Sequence, residues 1–361
     1  MRAGTGKLIC AYCRHEWNEA SVEEKFGLDS AISELRGTVL ASGASNAPES
    51  TDDVVTLKCQ ACGAEVVINT DMALQGRCHW CRHTLSINQQ MPNGAVPDGL
   101  LPFKITRDDA ITRIDEFVKS RKFFAHPKFV KEFAPSEVVG VYMPYLTVDA
   151  NAHVAYEGAG EELLRRYTVK RGDRTVTLYD ADQYQLGRQF SIHIDDLMLE
   201  SSAQRADIDT SRNTNNIINA IMPFDVKEAV AYNANYLRGF TSERRDLQVQ
   251  GLSHEAANRM LSIGRSRAGE LARKYDRGIR WESESIKVHG TRWVALYLPV
   301  WLYSYYERRG DREFIHYVAV NGRTGATLGS VPVRQGRLIG ISTVIGIVGT
   351  IIGGALAILL M

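Results

Sequence analysis

Six cysteines, all within the first 81 residues and all in C-x-x-C pairs, constrain this chain more than any other feature. Four of them, Cys59 and Cys62 in KCQACGAEVVI and Cys78 and Cys81 in GRCHWCRHTLSI, give the spacing C-x2-C-x15-C-x2-C. Four thiolates so placed can fold as two knuckles facing one tetrahedral zinc ion. Each knuckle needs a tight turn, and Gly63 after Cys62 is free to take the positive φ such a turn favours. The second knuckle has Arg82 at that place, a departure from the pattern. Short β-rich runs, EVVIN and TLSIN, follow the two pairs as a zinc ribbon requires.

A thioredoxin-like redox pair is the competing interpretation, but no βαβ pattern surrounds these cysteines and two matched pairs lie close together. His79 and His83 flank the second knuckle and are read as outside the ligand set or solvent-exposed, because four cysteines already complete the shell. A catalytic zinc keeps an open position, so a site closed by four thiolates points to scaffolding. The first pair, Cys10 and Cys13 in GKLICAYCRHEW, has no upstream complement. Either a first knuckle precedes the chain's start, or His15 and another group complete a weaker site, or these thiols are free. TGKLICAYC looks like the second half of a ribbon, which favours the first of these and an expected zinc content near one per chain.

Clustered thiols of this kind belong in a reducing compartment, whereas disulfide-stapled secreted chains scatter their cysteines. The start, MRAGTGKLICAYC, shows no apolar leader. Lys and Arg number 43 against 42 Asp and Glu, a formal net charge of +1, so no overall field draws the molecule to nucleic acid or acidic lipid.

The last 24 residues, LIGISTVIGIVGTIIGGALAILLM, contain no charged side chain. About 20 apolar residues cross the hydrocarbon layer, so residues 338–361 are expected to form a single transmembrane helix. Arg323, Arg334 and Arg337 precede it, which places the amino-terminal domains in the cytoplasm by the positive-inside rule. The expected location is therefore the cell membrane, single-pass, with the lipid bilayer itself a partner. Gly349 and Gly353 form a G-x-x-x-G that offers a route to homo-oligomers through this helix.

The expected organisation is a partial knuckle at 1–17, a helix and flexible linker at 18–56, the zinc ribbon at 57–90, α+β units at 100–220 and 221–331, and the terminal span. A Ser21-x-x-Glu24 capping box marks the early helix, and GTVLASGASNAPESTDD reads as the linker. The two α+β units echo each other: LLPFKI precedes a helix and then VVGVYMPYLTV, while IMPFDV precedes helices and then WVALYLPVWLY. This matches Pro102 and Pro144 with Pro223 and Pro299 and suggests a diverged duplication. Proline within the two aromatic strands points to edges or bulges. The stripe of Trp301, Tyr303, Tyr305 and Tyr306 is read as packing a sheet against helices. The fold class is α+β: a small four-cysteine ribbon, an α+β body and a C-terminal transmembrane helix.

Motifs that carry chemistry are absent. Gly4-Thr5-Gly6-Lys7 lacks the upstream glycine of a phosphate loop and has Leu8 where a hydroxyl must reach magnesium; His254-Glu255-x-x-Asn258 lacks the second histidine of a zinc-protease helix. No G-x-S-x-G or G-x-G-x-x-G occurs. An enzyme is not expected. Arg77, Arg82 and His83 around the second knuckle, with Trp80 between its cysteines, make nucleic-acid binding the alternative to a protein-binding role.

On TGKLICAYC, the four-cysteine ribbon, LPFKI, the GVYMPY and ALYLPVW strands, VNGRTGATLGS and the apolar tail, the chain resembles the bacterial TFIIB-type zinc-ribbon membrane proteins. Members carry two complete ribbons, whereas the pair that would precede Cys10 is missing here. The resemblance implies an envelope-associated adaptor or scaffold at the cytoplasmic membrane face, with a protein partner of the SPFH or phage-shock type and a role in envelope organisation or stress response.

Overall fold

VVGVYMPYLTV and WVALYLPVWLY, rich in β-branched and aromatic residues, become the middle of one mixed sheet. The computed structural model describes residues 7–9, 16–18, 21–26, 30–41, 44, 54–69, 76–85, 90–91, 96–172, 174–202, 221–270, 272, 274–309 and 312–359. In chain order the elements are β1 (Lys7–Ile9), β2 (Glu16–Asn18), α1 (Val22–Phe26), β3 (Gly37–Leu40), β4 (Val54–Lys58), β5 (Glu65–Asn69), β6 (Gln90–Met91) and β7 (Gly99–Leu100). There follow α2 (Arg107–Arg121), α3 (Pro127–Glu132), β8 (Val139–Arg171), β9 (Arg174–Glu200), β10 (Val230–Ala231) and β11 (Thr241–Glu243). The chain continues with α4 (Val249–Glu270), β12 (Gly278–Arg309), β13 (Arg312–Asn321), β14 (Thr327–Gly329) and α5 (Gln335–Leu359).

The sheet runs β10-β7-β12-β8-β11-β5-β4-β6, with β9 added to β8, and β13 and β3 to β12. Strands β8 and β12 pair antiparallel through most of their length, with Tyr142 opposite Pro299, Met143 opposite Leu298 and Pro144 opposite Tyr297. On its outer edge each also meets a short parallel strand: β11 at Val141 and Tyr142, β7 at Leu296 and Tyr297. Both middle strands are buried on both faces here, which is why their apolar runs are nearly continuous rather than alternating.

Helices cover the sheet. Thr106 caps α2 by accepting from the Asp109 amide (3.2 Å), and the helix lays Ala110, Ile114, Phe117 and Val118 against Trp301, Tyr303, Val318 and Val320. The aromatic stripe thus packs the sheet on its helices, with Phe129 of α3 edge-on to Tyr305 at 5.0 Å. Burying each such side chain contributes roughly 1.5–3 kcal/mol. On α4, Leu252, Ala256, Met260 and Ala268 join the larger core with Val154 and Tyr156, and Gly264 leaves room for the Tyr156 hydroxyl, which a Cβ would meet at 2.3 Å.

The architecture corrects the expected fold class. Instead of a ribbon beside two α+β units and a membrane helix, one large mixed sheet takes its strands from both halves and from the cysteine region. The physical cause is that β8 and β12, apolar on both faces, complete each other's ladders. The prolines do not mark edge strands: Pro144 and Pro299 lie centrally, one residue beyond the positions where the outer strands β9 and β13 end opposite Tyr145 and Val300. The stretch read as linker contributes β3, parallel to β12 at Gly290–Trp293.

The membrane assignment is also corrected. Among the described residues, no helix is long and apolar enough to cross a membrane. Glycine and hydroxyl residues at Gly340, Ser342, Thr343, Gly346 and Gly349 dilute the apolar character of α5. The single-pass transmembrane helix, and the cell-membrane location drawn from it, are therefore not supported.

Candidate metal centre

Cys59 directly follows β4, and the chain reverses through Gln60 and Ala61 to Cys62 before entering β5. The Cys59 amide donates to the Ala64 carbonyl (2.8 Å) and the Gly63 amide to the Cys59 carbonyl (2.9 Å), with Gly63 at φ 77°. The second knuckle repeats these bonds. The Cys78 amide donates to the His83 carbonyl (2.9 Å) and the Arg82 amide to the Cys78 carbonyl (2.8 Å), with Arg82 at φ 63°. Arg82 therefore takes the left-handed conformation that glycine takes in the first knuckle, despite its Cβ.

The two turns bring four sulphurs together. Cys59 Sγ lies 3.4 Å from Cys81 Sγ, and Cys62 Sγ 3.6 Å from Cys78 Sγ; all four lie within 4.8 Å of one another. These separations are far beyond an S–S bond, and the cysteines are free thiols. Cys59 and Cys78 are buried, Cys62 and Cys81 partly so. The Cys62 thiol is pushed well up by its hydrogen bond with Cys78 and by burial. Burial, together with the neighbouring thiols Cys59 and Cys62, pushes Cys81 up to about 12. The amides of Ala64 and His83 act the other way, each donating to a sulphur and favouring thiolate. Four thiols held this closely, with amides already aimed at two of them, are a ligand set for a metal cation, which would relieve the crowding. Cys10 and Cys13 lie outside the described residues.

The second knuckle is also a packing element. Trp80 is 1% exposed, donates its indole N–H to Glu243 of β11 (2.5 Å) and stands edge-on to Tyr317 of β13 at 5.3 Å. His79 is buried as well, its Nδ1 3.2 Å from the Thr241 hydroxyl, while its carbonyl accepts from Ser304 (2.7 Å). The Arg82 guanidinium lies 4.5 Å from the Tyr303 ring centroid and pairs with Glu137. Strand β5 joins the main sheet through β11, with Val67 opposite Ser242. So His79 is not solvent-exposed, and Trp80 and Arg82 are engaged with other parts of the protein. Of the basic patch around this knuckle, Arg77 and His83 remain exposed.

Sequence reasoning missed a second cluster. A bulge in β9 sets Asp195 and Asp196 against Asp149 of β8, and the three carboxylates lie within 4.8 Å of one another. Asp149 is buried and is held by Arg292 Nη2 (2.7 Å) and by the Asp196 amide (2.9 Å). Burial, with the charges of Asp195 and Asp149 beside it, pushes Asp196 up to about 7. Only Asp195-Asp196 adjacency was legible in the sequence; Asp149 and Arg292 arrive through strand pairing. Arg292 balances the cluster, which reads as structural.

No family model matches the chain, and no solved structure matches it. An uncharacterized protein of Bacillus subtilis (strain 168), YdjG, is 21% identical over 244 residues, covering 67% of this chain and 66% of that protein. The chain thus spans just under two thirds of the relative's length.

Proposed function

We propose that the four-cysteine centre takes a structural zinc ion and that the chain is an adaptor, a zinc-braced scaffold that presents a surface to another protein. The observation that carries this is the closed set of four sulphurs whose second knuckle is keyed into the sheet by Trp80. Tetrahedral zinc with Zn–S near 2.3 Å requires S···S distances of about 3.8 Å. The 3.4 and 3.6 Å contacts are close to that geometry. A shell filled by four thiolates leaves no position for substrate, which favours bracing over catalysis. Likeness to the TFIIB-type zinc-ribbon proteins supports the same reading and suggests a partner of the SPFH or phage-shock type.

Atomic emission on purified protein is expected to give about one zinc per chain, lost in Cys78→Ser. Crosslinking to the partner is expected to depend on that zinc. Two zinc ions per chain, or a partner set identical for wild type and Cys78→Ser, would overturn the proposal.

A further inference from the structure

Pairing of β12 with β8 ends at Gly278 opposite Glu161. Beyond it β8 and β9 continue alone as a two-stranded arm that turns at Gly172, with register running from Arg165 opposite Asp180 to Arg171 opposite Arg174. Every described residue from Leu164 to Thr177 is exposed. At about 3.4 Å per residue, the seven residues from Arg165 to Arg171 reach roughly 24 Å from the body. An isolated pair of strands is marginally stable in water, so an arm of this length has reason to be covered.

The arm's chemistry indicates by what. Between Arg165 and Asp180 it carries Arg165, Arg166, Lys170, Arg171 and Arg174 against Asp173 and Asp180, five cations to two anions on a chain whose net charge is +1. Asp180 engages Arg165 at 2.8 Å, while Lys170, Arg171 and Arg174 crowd the tip. Arg171 and Arg174 are cross-strand partners, an arrangement of like charges, with Asp173 as the one acidic residue between them in sequence. Alternation along the strands places Arg165, Arg171 and Arg174 on one face and Arg166 and Lys170 on the other. The second face also bears the hydroxyls of Thr168, Thr175 and Thr177, which can donate to phosphate. A flat anionic partner, whether a lipid surface or an acidic protein patch, would meet the cations of one face only. A groove presents a phosphate wall on each side.

We propose that this arm grips duplex DNA, entering the major groove tip first. A two-stranded ribbon fits a groove about 12 Å wide, whereas the deep, narrow major groove of duplex RNA does not admit it. This ligand is separate from the partner of the adaptor reading and does not depend on the zinc centre.

The test is fluorescence anisotropy of full-length protein with a labelled 20-base-pair DNA duplex of mixed sequence, from 50 to 200 mM salt. Affinity is expected to fall steeply with salt. Lys170→Glu/Arg171→Glu should weaken binding at least tenfold at 50 mM and make the log–log salt slope shallower by about 1.8, two phosphate contacts at 0.9 each. Lys170→Gln/Arg171→Gln, which removes charge without reversing it, should show the same change of slope. Lys128→Glu/Lys131→Glu on α3 alters net charge equally and should leave the slope unchanged. Equal weakening by the α3 variant, equal affinity for duplex RNA, or binding to anionic vesicles without binding to DNA would each overturn the proposal.

Discussion

Ser201 and Pro144 share one hydrogen bond where a regular ladder would make two. The Ser201 amide donates to the Pro144 carbonyl (3.1 Å), and Pro144 has no amide to return. The Ser201 carbonyl instead accepts from Asp246 and Leu247 amides at 3.2 and 3.0 Å. The other middle strand repeats this: the Gly322 amide donates to Pro299 (2.9 Å), and the Gly322 carbonyl accepts from Lys104 and Ile105, both at 2.9 Å. Each proline thus fixes where its outer strand peels away, and a segment leading into a helix fills the gap.

Replacing Pro144 with Ala restores an amide opposite a carbonyl whose two acceptor positions are already taken. That amide is buried, and an unsatisfied buried donor costs about 1–3 kcal/mol. Pro144→Ala and Pro299→Ala are each expected to lower stability in this range by denaturant unfolding. A neutral or stabilising effect would mean that the substituted ladder closes normally.

Arg82 holds the second knuckle's positive φ while its guanidinium packs on Tyr303 and Glu137. Arg82→Ala loses the contacts and keeps the backbone cost; Arg82→Gly loses the contacts and removes that cost. The glycine variant should be the more stable of the two by about 1 kcal/mol. Equal unfolding midpoints would argue that the turn relaxes when the side chain is cut back.

Trp80, two residues from Cys78, bonds to Glu243 of β11, so loss of the metal should not stay local. With structural zinc contributing folding free energy on the order of 10 kcal/mol, Cys78→Ser is expected to raise hydrogen exchange over 76–85 and in β11. Helix α4 should keep its protection. Exchange that changes in 76–85 alone would show that the keyed tryptophan does not couple the centre to the sheet.

Much of this was written locally and some was not. The C-x2-C spacing and Gly63 announced the first knuckle, because a knuckle's bonds span five residues. Arg82 hid the second turn's conformation, since its packing partners, Glu137 and Tyr303, are remote in sequence. The aromatic strands were visible, but proline argued for edges when the missing donor is made good by Asp246 and Leu247. The Pro-Phe echo drew attention to Pro223, whereas the bonds to Ser201 and Gly322 match Lys104 and Ile105 with Asp246 and Leu247. The same spacing separates Gly99 from Thr241 and Arg107 from Val249, the first residues of β7 and β11 and of α2 and α4. The two segments share almost no side-chain identity; their equivalence lies in backbone pairing.

Asp196 gives the last prediction. It occupies a bulge at φ 55° with Asp149 and Asp195 beside it, the Thr147 hydroxyl at 3.4 Å and the charge of Lys227 acting more weakly. Its folded-state pKa is about 7 against an ordinary 3.8. A carboxyl raised in this way binds its proton more tightly in the folded state than in the unfolded one. Its contribution therefore favours folding at low pH, declines as pH rises from about 4 to 7, and is lost above that. Asp196→Asn should remove the decline, and asparagine tolerates the same positive φ. Because metal binding to thiolates is itself pH-dependent, the informative quantity is the difference in Tm between zinc-saturated wild type and variant. The variant is expected to gain on the wild type from pH 5.5 to about 7 and to keep a constant advantage from there to pH 8. A difference that stays constant across that range would show that Asp196 is already ionised at its lower end and that Arg292 neutralises the cluster as a whole.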